Sequence, residues 1–226
     1  MEYIAHLKYN EATQNWVFQS LEDHLQGTAK LSGSFAAEWN DGELGFLEGL
    51  IHDIGKYSVD FQKYIRYEKS GYSTEYAAKP DHSSAGAIYA AEAISNLLPG
   101  NFSRIVSYQI AGHHAGLLNW YKESSDSGSL KERLAKTDLL NQIRPLLPEK
   151  PDLPKQIRGF CGGKLTNLDD LHVWIRMMFS CLVDADFLDT ETFMQPEKAQ
   201  KRQDKHEDKQ DYNLGKPQLG DSGDRN

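Results

Sequence analysis

The sequence predicts an all-α fold, a bundle of helices. Three observations predict it. Apolar residues recur at steps of three and four along most of the chain. Convincing alternation with a period of two, the mark of a half-buried strand, is absent. Histidines and aspartates stand inside stretches that are otherwise apolar and helical in pattern.

Taken in order, residues 14–37 read as the first helix. Leu47, Leu50, Ile51 and Ile54 fall at i, i+3, i+4 and i+7, one face of a second. Residues 61–67 read as a third. Asp81, after Pro80, is suited to N-cap the next helix, which carries Ala85, Ile88, Tyr89 and Leu97. Residues 101–111 and 130–147 continue the helical pattern. Leu168, Leu171, Ile175, Met178, Leu182 and Ala185 alternate steps of three and four, giving a long amphipathic helix that ends in the acidic cluster Asp184 to Asp189. Two connections are polar or irregular: 122–129 (KESSDSGS), and 148–167 with Pro151, Pro154, Gly159, Gly162 and Gly163. There is no internal repeat and no heptad array.

Composition divides the chain in two. Residues 1–195 form one domain, large enough for a substantial core. From Pro196 to Asn226 the sequence turns to Lys, Gln, Asp and Glu, with seven basic and seven acidic residues and few apolar ones. Such a segment cannot bury enough surface to order itself, so 196–226 reads as a linker or tail. No apolar run approaches the roughly 18 residues needed to cross a bilayer, and no membrane partner is expected. Met1 to Tyr9 lacks the basic-then-apolar order of a secretory signal. Cys161 and Cys181 lie outside any CxxC pattern and fit a reducing, cytoplasmic setting. The net charge of −8 excludes nucleic-acid binding through a broad basic footprint. Affinity for nucleic acid would have to come from metal ions, a local groove or a partner.

The chemistry-bearing residues are histidines and aspartates. His52-Asp53 sits in Leu50-Ile51-His52-Asp53-Ile54-Gly55-Lys56, beside a core-facing stripe, where unpartnered burial would be costly. A metal would partner both, since imidazole nitrogen and carboxylate oxygen ligate first-row divalent ions. The alternative is a hydrogen-bonded pair closing a helix before Gly55. His113-His114, between Gly112 and Ala115, leaves room for an ion or a phosphate, or decorates the surface. His82 opens a helix, and in isolation is a polar neighbour of a cap. His24 is equally consistent with a satisfied, partly buried residue. On the last helix Asp186 lies about 60° from the centre of the apolar stripe and Asp184 about 140° away. Asp186 is therefore the better ligand, while Asp184 faces out or supports the ligands from behind. A solvated acidic helix end is the alternative for Asp184 and Asp189. Singly each signal is weak; the order His…His-Asp…His…His-His…Asp over successive helices is specific.

That combination resembles the HD superfamily of metal phosphohydrolases, defined by His52-Asp53 and a late Asp. The fuller set resembles the HD nuclease domain of the CRISPR-associated helicase–nuclease of type I systems. The matching stretches are YIAH (Tyr3 to His6), QSLEDHL (Gln19 to Leu25), LIHDIGKYSxDFQxY (Leu50 to Tyr64, with x at Val59 and Lys63), DHSSAGA (Asp81 to Ala87), GHHAGL (Gly112 to Leu117) and LVDADFLDTE (Leu182 to Glu191). The resemblance implies an HD-type helical bundle with its metal centre between helices. It implies one ion on His24, His52, Asp53 and Asp186, and a second on His82, His113 and His114 with Asp53 as bridge. Among these, His52 and Asp53 would be catalytic, with Lys56 near the scissile phosphate offsetting its charge. Ser83 would contact phosphate or support the ligands. Histidine-rich ligation favours Mn²⁺, Co²⁺, Ni²⁺ or Fe²⁺ over Mg²⁺. The implied substrate is single-stranded DNA, delivered by a helicase domain or subunit and an RNA-guided surveillance complex. No GxxxxGK[ST] phosphate loop is present, so this chain is not itself the ATP-driven motor.

Two other readings stay open. One is an HD phosphohydrolase acting on nucleotides or cyclic nucleotides, whose site would enclose a base. The other is a binding module with a degenerate metal site, against which all the expected ligand positions are filled. Trp120, Tyr121 and Phe160, in or beside the irregular loops, either stack on bases or serve as packing residues.

Overall fold

A computed structural model describes residues 2–68, 79–95, 97–98, 102–123, 128–147, 157, 165, 167–202 and 204. It is mostly helical, as the apolar spacing predicts, with helices α1 Leu21–Ala37, α2 Gly42–Ile51, α3 Val59–Glu68, α4 Ser83–Ala93, α5 Phe102–Gly112, α6 Leu130–Leu134, α7 Thr137–Ile143 and α8 Leu168–Met194. Single 3₁₀ turns lie at Ile54–Tyr57 and Arg144–Leu146. The chain divides into two units, Met1–Thr190 and Glu191–Asn226. Among the described residues no helix is long and apolar enough to cross a membrane.

The N-terminus departs from the predicted helix at 14–37. Strands β1 (Ile4–Asn10) and β2 (Asn15–Ser20) form an antiparallel hairpin, pairing Tyr9 with Trp16 and Leu7 with Phe18. The turn is set locally: the Asn10 side-chain carbonyl accepts from the amides of Ala12 and Thr13, and Gln14 takes a left-handed φ of 51°. Helix α1 begins only where Ser20 caps it, its hydroxyl accepting from the Asp23 amide at 3.0 Å.

The core of the first unit lies between α1, α2, α4, α5 and α8. Leu21, Leu25, Leu47, Ile51, Ile88, Ile110, Met178 and Leu182 share one buried cluster. Helix α4 starts where predicted, although His82 occupies the N-cap position. Asp81, one residue earlier, still satisfies the helix end by accepting from the Ser84 amide and hydroxyl. Gly55 permits a close approach that no other residue would, because a Cβ there would collide with the backbone carbonyl of His82. The turn after His52-Asp53 and the entry to α4 thus press backbone to backbone.

Two further predictions are corrected. Residues 130–147 form two short helices and a 3₁₀ turn, not one helix, with a break at Ala135 and Lys136. Helix α8 does not end in the acidic cluster but runs on to Met194, so Asp184, Asp186 and Asp189 lie within it. In the second unit, residues 196–202 are helical where composition predicts a tail without order. Ion pairs from Lys198 and Arg202 to Glu191, at 2.7 and 2.8 Å, tie that turn together. The rest of the expected tail, from 205, lies outside the described residues, as do Cys161, Phe160 and most of the two predicted loops.

Candidate metal centre

Five elements converge on Asp53. His24 comes from the second turn of α1, and His52 is the residue that closes α2. Asp53 heads the 3₁₀ turn, and His82 stands immediately before α4. His113 and His114 follow directly on α5, and Asp186 projects from α8. His24, His52 and Asp53 are fully buried, His82 and His113 nearly so, while His114 is exposed.

The two carboxylate oxygens of Asp53 face different partners. Oδ2 lies 3.5 Å from His24 Nε2 and 3.4 Å from His52 Nε2. Asp186 Oδ1 completes that side, 3.4 and 3.6 Å from the same two nitrogens. Oδ1 of Asp53 lies 3.4 Å from His82 Nε2 and 3.3 Å from His113 Nε2, with His114 Nε2 2.9 Å from that of His82. Within each set the donor atoms fall inside 4.8 Å of one another. Most of these separations exceed a good hydrogen bond. They suit atoms that share an ion, each about 2.0–2.2 Å from it.

The other ring nitrogens show which atom is offered. His52 Nδ1 donates to the Gly49 carbonyl at 2.7 Å, His113 Nδ1 to the Ile110 carbonyl at 2.7 Å, and His82 Nδ1 to the Pro80 carbonyl at 3.0 Å. A carbonyl only accepts, so each ring carries its proton on Nδ1 and turns a lone pair at Nε2 toward the centre. His24 is fixed the same way by a carboxylate, Asp189 Oδ2, at 2.7 Å. Nε2 of His24, His52 and His113 and Oδ1 of Asp53 have no hydrogen-bond partner among the described residues. Buried lone pairs aimed at one another and at a carboxylate demand a cation. The donor set therefore fits a divalent metal. His114 differs: its Nε2 donates to His82 Nε2, so it ligates only after changing tautomer or turning its ring.

The electrostatics agree. Burial works against charge on Asp53, yet Lys56, His52, His82 and His113 outweigh it and hold the carboxyl well below the usual range. Asp186 is likewise held low, against its burial, by His52. Burial would neutralise His52, but the Asp53 and Asp186 carboxylates push it up to about 10: without an ion the ring takes a second proton on Nε2, the atom whose lone pair a bound cation would use. Burial lowers His82 to about 4. Burial together with His113 lowers His114 to about 3.

The structure brings together every ligand the sequence suggests: His24, His52, Asp53, His82, His113, His114 and Asp186. Lys56 is buried with its ammonium 2.7 Å from Asp53 Oδ2 and 3.3 Å from His6 Nε2. Ser83 is buried beside His82 and accepts from Arg133 Nη1 at 3.0 Å. Asp184 faces solvent on α8. Three residues escape sequence reasoning. Asp189 holds His24 and accepts from Gln19 at 2.8 Å, and Gly27 leaves the space its carboxylate fills. The signal for Asp189 is its spacing of three from Asp186, which a helix ending in the acidic cluster conceals. His6, edge-on to His24 at 4.7 Å and lowered to about 2 by burial and Lys56, has no spacing signal of its own. Arg133 has none either; it also donates to the Ala111 carbonyl at 3.1 Å, joining α6 to the end of α5.

The sequence pattern of HD domains matches residues 21–146, more than half of the chain. The chain belongs to the HD domain family. The matched span runs from the start of α1 through His24, His52-Asp53, His82 and His113-His114. No curated protein matches the chain. A solved structure described as the crystal structure of a CRISPR-associated protein is 18% identical, with a TM-score of 0.43 over 77% of this chain. This chain spans about a fifth of that one, 21% of its length. As an HD domain with its His/Asp clusters in place, the protein is a metal-dependent phosphohydrolase.

Proposed function

We propose that this HD domain is a nuclease that hydrolyses phosphodiester bonds of single-stranded DNA, cutting internally and also degrading from ends, in CRISPR interference. The observation that carries the reading is the pair of ligand sets joined by Asp53. Two-ion centres suit in-line displacement at a phosphodiester, supplying a nucleophile from water near neutral pH and charge for the phosphate oxygens. The protein's own groups prepare for that. Asp53 is kept ionised by Lys56, and the rings of His24, His52, His82 and His113 are locked by their Nδ1 partners. Exposed His114 opens the second set outward, as a polymer substrate requires. Lys56, already against Asp53, is placed to offset phosphate charge beside it.

The substrate and setting rest on the six stretches that resemble the type I CRISPR helicase–nuclease domain, not on the fold. A net charge of −8 accords with a nuclease whose strand is delivered by a helicase and a surveillance complex. The test is to incubate metal-stripped protein with labelled circular single-stranded DNA, restoring Mn²⁺, Co²⁺, Ni²⁺, Fe²⁺ or Mg²⁺ one at a time. Cutting with a transition metal is expected, and its loss in Asp53→Ala. If no metal yields cutting while free nucleotides are hydrolysed, the protein is a nucleotide phosphohydrolase and the nuclease reading falls.

A further inference from the structure

A second surface follows the centre's last histidines along the chain. The chain leaves His113-His114 through a turn in which Gly116, at φ +83°, donates to the Gly112 carbonyl at 2.7 Å. It then presents Trp120 and Tyr121, which remain 39% and 67% exposed. Their rings stand edge to face, centroids 6.4 Å apart. Each ring carries a cation: the Arg104 guanidinium lies 5.5 Å from the Trp120 centroid and the Lys131 ammonium 5.3 Å from that of Tyr121. Below Trp120 runs an open groove of about 410 Å³ floored by Ile105, Tyr108 and Leu118. That volume lies in the range of small-ligand sites, roughly 300–1,000 Å³.

The segment is held in place. The Leu130 amide donates to the Asn119 carbonyl at 2.9 Å and the Lys131 amide to that of Trp120 at 3.3 Å. Helix α6 links the two regions, since Lys131 covers Tyr121 and Arg133 reaches Ser83 beside His82. The nearby acid Glu132 is exposed, and its carboxylate is engaged in capping α6, accepting from the Ser129 amide at 2.9 Å.

We propose that Trp120 and Tyr121, with Arg104 and Lys131, form a base-stacking platform for the single strand that enters the metal centre. Large exposed aromatic rings beside fixed cations match what an unpaired nucleotide offers, a flat base next to a phosphate. A duplex presents no free base faces, so the platform selects for single strands. Local cations also answer how a chain of net charge −8 can hold a polyanion near its site. The inference rests on the nuclease reading and names how that site grips its substrate.

The test is steady-state cutting of an oligothymidine by the full chain with the metal that supports activity. Trp120→Ala and Tyr121→Ala each raise KM about 5- to 150-fold, the worth of one stacked base, while kcat stays within about threefold. Trp120→Phe, which keeps a ring, stays near wild type. Should the alanine variants fail to fold, Arg104→Gln and Lys131→Gln give the same KM-against-kcat split, with a shallower dependence on salt. A KM that ignores these substitutions, or a fall in kcat alone, overturns the platform and leaves the nuclease reading standing. A wild type that cuts no strand with any metal sinks both.

Discussion

Asp189 shows how the centre depends on a residue that never touches an ion. Its carboxylate fixes the His24 tautomer at 2.7 Å and makes the ring a stronger donor. Asp189→Asn removes the charge but keeps an acceptor; Asp189→Ala removes both. Metal affinity should fall about 10-fold in the first and toward 100-fold in the second, read by competition with a chelating dye. Equal affinity in Asp189→Ala and wild type would mean that His24 orients itself. At this scale the side chains that converge on Asp53 were legible because their residue types are rare inside apolar helices. Asp186 in particular follows from its angle to the apolar stripe of α8. The supports were not legible: Asp189 needs the true end of α8, and His6 and Arg133 arrive through long-range packing that no local spacing encodes.

At the scale of elements, the order of helices and the entry to α4 could be read from the sequence, and the N-terminal hairpin could not. The reason is physical. Strand alternation is visible only when one face is buried, and β2 has its first four residues exposed, among them Trp16, Val17 and Phe18. Aromatic and β-branched character there favoured a strand, but no inside–outside rhythm accompanied it. The glycine of the LIHDIGK stretch is a junction between elements whose role is testable. Gly55→Ala would drive a Cβ into the His82 carbonyl, so the entry to α4 must retreat. We expect that substitution to weaken the set of His82, His113 and His114 more than the set of His24, His52 and Asp186. Metal titration should show one site lost or weakened first. Uniform weakening of both would place the effect at Asp53 instead.

For the whole molecule, a metal centre built from buried histidines makes the stability of the metal-free chain depend on pH in both directions. His82 and His6, lowered to about 4 and about 2, bind fewer protons folded than unfolded below pH about 6.5. Stability from these rings is present above that pH and lost on acidification. His52, raised to about 10, acts with the opposite sign. Between pH about 6.5 and 10 the folded chain keeps a proton that the unfolded chain releases, so stability falls as pH rises. The low carboxyls of Asp53 and Asp186 add their loss only below pH about 4. Metal-stripped protein should therefore be most stable near neutrality and weaker at both pH 5 and pH 9. The limiting slope is about 1.4 kcal/mol per pH unit for each proton, and relaxation around the site makes the observed slope smaller. Urea unfolding at the three pH values checks this. A divalent ion held by His24, His52, Asp53 and Asp186 would take the place of the His52 proton. Added metal should thus raise the midpoint at every pH and flatten the alkaline arm, because no proton remains there to lose. An alkaline arm equally steep with and without metal would show either that the arm does not come from a His52 proton between those carboxylates or that the ion does not bind there.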